Sequence, residues 1–469
     1  MQSGRRYFLL GICGAGMSSL ALLLQSLGMQ VRGTDAQDQD FRAQSLGSHG
    51  IAVLSENEGA ASIESDEIVV RSSAILSGNP VLEAAVRAGS TILHRTEVLS
   101  TVASRYFLIA VAGTHGKTTT SGMIGYVLAN QGKEPAICVG GRIVGFDRCF
   151  PKDHQLQNGV KGRPIMVLET DESDGSFLRF RADVAVVTNI DHDHLGTYDG
   201  SFDNLVCAFK QFAAQCEGRG GTVIGCGDDP NVRAMTACVR RHVLYGHDTA
   251  NSVRVQYISS SNSVIIHDES TELLFKMTRG DEKSYDNAVA AALACEATGV
   301  EFRRALSVLE TFPGMERRME VLGEWRGITI LTDHADHPTE IRATLQALAV
   351  RYPRRKLTLV LQPHRYTRVR ACLEGYGQAL VGADKVMLLD IFPAGEATER
   401  PEDLNAKLRA SVGAALGTTL EDLSDDRAIL ASLLRTAVEG DVVVFVGPGD
   451  VNKLGLQFCG LLSNSNAVV

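Results

Sequence analysis

Residues Gly113-Thr114-His115-Gly116-Lys117-Thr118-Thr119-Thr120 hold the clearest chemistry in this chain. In such a run, loop N–H groups and a helix N-terminus face an anion. The lysine neutralises it, and a threonine hydroxyl reaches a divalent cation. That combination predicts ATP and Mg²⁺ as ligands. The apolar run Phe107–Ala112 before the loop reads as a strand, and Met123, Ile124, Val127 and Leu128 after it follow helical spacing. Strand and helix must hold the loop between them. The full P-loop spacing would put glycine at Val111, so the chain carries the shorter Gly-x-x-Gly-Lys-Thr form. The competing reading is an ordinary helix start with a buried lysine stem.

Carboxylates gather near two further strand ends. Pro164–Leu168 runs into Glu169-Thr170-Asp171-Glu172-Ser173-Asp174, and Val184–Ile190 runs into Asp191-His192-Asp193-His194. Each acid taken alone is a solvated loop charge. Two acid-rich strand ends beside a phosphate loop instead predict a metal role for at least one residue from each. Asp286-Asn287-Ala288 reads as the opening of an alanine-rich helix, with Asp286 or Asn287 as its cap.

The first residues repeat the strand–turn–helix pattern. Tyr7–Leu10 is a strand, Gly11-Ile12-Cys13-Gly14-Ala15-Gly16 a glycine turn, Met17–Leu27 a helix, and Gln30–Asp35 a second strand ending in an acid. Serine occupies position 19, where a dinucleotide fingerprint places its third glycine, so a nucleotide sugar competes with a plain tight turn. Asp35 is a ribose partner or a solvated strand end. Ser72 and Ser73, after the strand Glu67–Val70, sit where such folds place ligand contacts.

Toward the end of the chain, strand Gly327–Leu331 leads to Thr332-Asp333-His334-Ala335-Asp336-His337-Pro338 and a helix from Ile341. Strand Lys356–Leu361 leads to Gln362-Pro363-His364-Arg365-Tyr366-Thr367-Arg368. Two arginines and a histidine at a strand end suit a carboxylate or phosphate, against the alternative of a solvated basic loop. Strands alternate with helices throughout, so the whole chain reads as α/β with largely parallel sheets.

The chain has 469 residues, enough for two or three domains. Its net charge of -9 argues against nucleic-acid binding through a basic face. No apolar run reaches the ~20 residues of a membrane span. The start of the chain has no secretory pattern, and the ten cysteines show no metal or disulfide spacing. These features predict a cytoplasmic enzyme.

Several of these motifs, in this order, resemble the Mur ligase family over nearly the whole chain. They are Gly14-Ala15-Gly16-Met17-Ser18, Gly113–Thr119, Asp171–Asp174, Thr188-Asn189-Ile190 with Asp193-His194, Arg317-Arg318, His337–Glu340, Gln362–Arg368 and Pro393–Glu396. The resemblance implies three domains: a Rossmann-like UDP-sugar domain at 1–105, a P-loop ATPase-like domain at 106–320, and a Rossmann-like amino-acid domain at 321–469. It implies a monomer or weak homodimer. It also implies a reaction, in which ATP phosphorylates the carboxylate of UDP-N-acetylmuramate and an amino acid, L-alanine for this motif type, attacks the acyl phosphate. By resemblance Gly113, Thr114, His115, Gly116, Lys117, Thr118 and Thr119 hold ATP, with Asn287 at adenine and Asp333 at ribose. Thr118, Glu172 and His194 ligate Mg²⁺. Gly14, Ala15, Gly16, Ser72 and Ser73 face the UDP-sugar. Arg365 and Arg368, with His364, hold the amino acid's carboxylate.

The chain departs from the family at His334, where tyrosine is usual, and at Asp336, where histidine is usual. It also departs at Lys283, for an adenine-side histidine, and at Cys13, for glycine. The first two leave the amino acid open, glycine and serine included. Three other readings compete. A ligase of recycled muropeptides fits Pro363–Arg368 less well. A nicotinamide oxidoreductase leaves Gly113–Thr119 unexplained. A P-loop switch or transport ATPase leaves Arg365–Arg368 without a task.

Overall fold

The computed structural model describes residues 4–35, 41–146, 159–193, 195–268, 272–278, 280–394, 396, 401–417 and 425–464. Contacts divide the chain into two compact units, Met1–Pro313 and Gly314–Val469.

The first unit holds two sheets among the described residues. One is built from β1 (Arg6–Leu10), β2 (Gln30–Thr34), β3 (Ala52–Leu54), β4 (Ile68–Arg71) and β5 (Thr91–His94), all parallel in the order β3-β2-β1-β4-β5. The order reverses at β1, so the glycine turn after β1 opens onto the crevice where such sheets bind ligands. The second sheet comprises β6 (Phe107–Ala112), β7 (Ala136–Cys138), β8 (Ile165–Glu169), β9 (Val184–Val187), β10 (Thr222–Cys226), β11 (His242–Gly246), β12 (Val253–Ile258), β13 (Ser263–His267) and β14 (Glu272–Phe275). Its order is β14-β13-β12-β11-β10-β9-β6-β8-β7. β6 lies between β8 and β9 and is buried along its whole length. This is why it reads as an unbroken apolar run rather than an alternating one. The carboxyl ends of β8 and β9 therefore flank the loop that follows β6.

The largely parallel expectation holds for most of this sheet, but β13 pairs antiparallel with both β12 and β14. The alanine-rich helix spans Glu282–Glu296, and its cap is Asp281, whose side chain accepts from Ser284 N at 2.7 Å. Asp286 and Asn287 are thus interior helical residues, not caps. The helix starts a turn early because Asp281 offers its carboxylate to the first exposed N–H groups. One continuous apolar core joins the two sheets of this unit, from Leu9 and Leu20 through Val98 to Ala110 and Phe209.

The second unit contains β15 (Glu320–Trp325), β16 (Ile328–Asp333), β17 (Leu357–Leu361), β18 (Lys385–Leu388) and β19 (Val442–Val446), in the order β15-β16-β19-β17-β18. All pairs are parallel except β15 with β16. β19 enters between β16 and β17, so the loops after β16 and β17 face each other across its end. Helix Pro338–Arg351 follows the first loop, with proline at its first turn and His337 as cap. It opens at Pro338, three residues ahead of Ile341, with Thr339 and the acid Glu340 in its first turn, where a carboxylate suits the helix dipole. Helix Tyr366–Ala379 follows the second loop. Among the described residues, no helix is long and apolar enough to cross a membrane.

Candidate active site

The loop between β6 and helix Lys117–Asn130 is shaped by two glycines in left-handed backbone, Gly113 (φ 129) and Gly116 (φ 82). L-residues avoid these conformations. Space is also short, because a Cβ on Gly116 would lie 2.8 Å from Asn287 Oδ1. The strand end after β9 clamps the loop from one side. His115 N donates to Asn189 Oδ1 at 2.8 Å, while Asn189 Nδ2 and Thr188 Oγ1 donate to His115 O at 2.9 and 2.6 Å. Asp191 N donates to Thr114 Oγ1 at 2.9 Å. The tightly held loop backbone leads into a helix start with no side-chain cap, which leaves N–H groups for an anion.

Lys117 folds over this loop. Its Nζ donates to the carbonyls of Gly113 and Thr114 and to Glu172 Oε1 at 2.9 Å. Burial would lower the ammonium's pKa, but Glu172, Glu169 and Asp171 outweigh it and raise it. The lysine stays charged. Glu172 is 1% exposed, and burial pushes its carboxyl up to about 7, with Lys117 pulling the other way. Among the described residues its Oε2 is buried without a hydrogen-bond partner. A buried acceptor in that state is unfavourable unless a cation or donor completes it.

Thr118 Oγ1 donates to Glu169 Oε1 at 2.7 Å, and Gly140 N donates to Glu169 Oε2 at 2.7 Å. Glu169 thus belongs to this cluster, although the sequence reading did not single it out as a site residue. Its place at the last position of β8, beside the loop strand, was the available signal. Thr120 Oγ1 donates to Asn287 Oδ1 at 3.2 Å, which ties Asn287 to the same helix start. Thr119 also lies in this first turn. His194 lies outside the described residues. Among the described residues no three His, Cys, Asp or Glu side chains form a ready metal cage. Mg²⁺ commonly takes one or two carboxylates together with phosphate oxygens, so Thr118, Glu169 and Glu172 remain a suitable donor set.

In the first sheet, Gly14 precedes helix Ala15–Ser26 and offers no side-chain cap. Asp35 accepts from Cys13 N at 2.8 Å, so it braces the glycine turn rather than standing as a solvated strand end. Arg95, at the start of helix Arg95–Ala103, lies against Gly16. Ser73 Oγ is 3.2 Å from His94 Nε2 and donates to Asp174 Oδ2 at 3.4 Å. Asp174 comes from the acid-rich run after β8, so the two sheets of this unit meet at Ser73.

In the second unit, Asp333 is 4% exposed. Its Oδ1 accepts from Ala335 N (2.9 Å) and Thr344 Oγ1 (3.2 Å), and its Oδ2 accepts from Met319 N (2.7 Å). Both oxygens are engaged within the chain, and burial raises its pKa. Burial, with like charge from Arg318 and Arg317, holds His334 well below the usual imidazole range, so it is neutral. Arg317 Nη2 donates to the carbonyls of Gly447, Pro448 and Gly449 (3.1, 2.8 and 3.1 Å), fixing the turn after β19. His364 stacks on Phe392 at 5.7 Å. Asp336 brings the two facing loops together. Its Oδ1 pairs with Arg368 Nη1, and its Oδ2 lies 3.5 Å from His364 Nδ1. Arg365 precedes helix Tyr366–Ala379 with φ 66, and its side chain is exposed.

Comparison with known proteins agrees with this geometry. Residues 6–107 match the model described as "Mur ligase family, catalytic domain", 111–295 the "Mur ligase middle domain", and 317–449 the "Mur ligase, glutamate ligase domain". A UDP-N-acetylmuramate–L-alanine ligase from Bdellovibrio bacteriovorus is 34% identical over 458 residues, covering 96% of this chain and 98% of that protein. Among solved structures, UDP-N-acetylmuramate-alanine ligase MurC from Thermotoga maritima superposes with a TM-score of 0.80 at 23% identity, covering 98% and 99% of the two chains. A murein peptide ligase from Psychrobacter arcticus gives 0.72 at 23% identity with the same coverage. The two structures share the fold. The family models and the curated relative settle the lineage, and the chain belongs to the Mur ligase family.

Proposed function

We propose that this chain is an ATP-dependent ligase that joins L-alanine to UDP-N-acetylmuramate through an acyl phosphate, in the synthesis of peptidoglycan precursors. The observation that carries the reading is Lys117, charged, largely shielded and bonded to Glu172 at the head of a glycine-loop helix. A carboxylate is a poor electrophile, and phosphorylation gives it a leaving group. The loop N–H groups and Lys117 neutralise charge on the transferring phosphoryl group. Thr118 and Glu172, with Glu169 beside them, hold Mg²⁺; when bound, it draws charge from the phosphate oxygens. The orphaned Glu172 Oε2 fits a cation there. The first 105 residues bind the UDP-sugar at the Gly14–Gly16 turn, with Ser72, Ser73 and Arg95 near it. Residues 106–320 bind ATP, with Asn287 near its base, and residues 321–469 bind the amino acid. The enzyme works in a reducing cytoplasm, in keeping with nine free thiols among the described residues.

The test is phosphate release from ATP. It should require UDP-N-acetylmuramate and L-alanine together. Release with neither acceptor present overturns the reading, and release that needs a free muropeptide instead of alanine assigns the chain to peptide recycling.

A further inference from the structure

The sequence offers two arginines, Arg365 and Arg368, as a clamp for an amino acid's carboxylate, and the structure treats them differently. Arg368 is paired in the chain with Asp336, whose other oxygen faces His364. The three side chains are only 14–17% exposed, so this grouping is largely shielded from solvent. Asp336 is itself held on its backbone. Its N–H donates to Glu340 Oε2 at 3.3 Å, and its carbonyl accepts from Tyr376 Oη at 2.9 Å. Arg365 is exposed, and its charge acts on Glu396 and helps hold that carboxyl low. The neighbouring carboxylate, Glu396, is already engaged by Thr367 N and Oγ1 at 3.0 and 2.6 Å.

We propose that Asp336 sets the specificity of the amino-acid site: it neutralises Arg368 from within the chain and leaves Arg365 to take the substrate's one carboxylate. The inference rests on the ligase reading above and deepens it. A site with one exposed arginine, whose nearby carboxylate Glu396 is already held by Thr367, matches an amino acid with one carboxylate. A second carboxylate, on an aspartate or glutamate side chain, would approach Arg368 only to meet Asp336, and like charges at close range in a shielded site repel strongly. Asp336 therefore excludes acidic amino acids and acts as a positioning residue for Arg368 and His364.

The test is an amino-acid panel with saturating ATP and UDP-N-acetylmuramate, comparing wild type with Asp336→Asn and Arg365→Ala. Asp336→Asn keeps the shape and removes the charge. It should raise kcat/KM for L-aspartate relative to L-alanine by about tenfold or more. Arg365→Ala should raise KM for L-alanine by about tenfold or more, with KM for ATP unchanged. If Asp336→Asn misfolds by circular dichroism, Asp336→Ser carries the same comparison. An unchanged aspartate-to-alanine ratio in a folded, active variant overturns the proposal, as does an Arg365→Ala enzyme with wild-type KM for alanine. Wild-type protein that ligates no amino acid overturns the ligase reading itself, a result distinct from either.

Discussion

Arg95 lies across Gly16, so that a Cβ on the glycine would collide with the arginine's Nη1. The collision involves the far end of a flexible side chain, and Gly16 sits in the first turn of helix Ala15–Ser26. Alanine at a helical position is favoured over glycine by up to about 1 kcal/mol. Gly16→Ala should therefore leave the urea midpoint within error of wild type or slightly raise it. It should also displace the guanidinium from the glycine turn and raise KM for UDP-N-acetylmuramate, with KM for ATP unchanged. Unchanged KM for the UDP-sugar would remove this turn from the substrate site.

Lys117 has a structural and a chemical part that can be separated. Lys117→Ala leaves the buried Glu172 without its cation, and such losses cost about 3–5 kcal/mol. The raised Glu172 carboxyl limits the damage, because it can take up a proton. Adding Glu172→Gln should recover most of the lost stability by chemical denaturation. Turnover should stay undetectable in both variants. Because Glu172 itself belongs to the cation site, the chemical role of Lys117 is read from the single variant: near wild-type turnover by folded Lys117→Ala would make Lys117 a structural residue only.

The pair His247–Asp286 predicts a pH dependence of stability. Asp286 Oδ1, 3.4 Å from His247 Nε2, lifts the histidine to about 9 from an ordinary 6.5. The folded state therefore favours the charged imidazole. The contribution is complete below pH 6.5, declines as pH rises toward 9, and is gone above it. The imidazole is more than a third exposed, so the effect is screened to about 1 kcal/mol or less. His247→Gln should lower the urea midpoint at pH 6 and leave it at the wild-type value at pH 10. Equal shifts at both pH values would contradict the assignment.

The parts of the fold legible in the sequence are those written as local runs. β6, β9, β17 and β19 are buried on both faces and read as unbroken apolar stretches. The Gly113–Lys117 loop is legible because glycine and lysine there answer a backbone and a charge requirement at fixed spacing. β12 to β14 escaped because they are short: β13 and β14 have five and four residues, and the alternation of Val253, Val255 and Tyr257 with Arg254 and Gln256 in β12 covers a single six-residue strand. Asp281 was passed over as a cap in favour of Asp286, since both suit a helix start and only packing chooses between them. The contacts of Arg95 with Gly16, Thr118 with Glu169, and Asp336 with Arg368 join residues 79, 51 and 32 positions apart. Such pairs arise from strand order, which no local pattern encodes.

In the proposed reaction the γ-phosphoryl group of ATP passes to the substrate's carboxylate before the amide forms. UDP-N-acetylmuramate labelled with ¹⁸O in that carboxylate tests it directly, with ATP, L-alanine and mass analysis of the released phosphate. One ¹⁸O should pass into inorganic phosphate for each amide formed. Phosphate free of label, alongside normal amide formation, would contradict it.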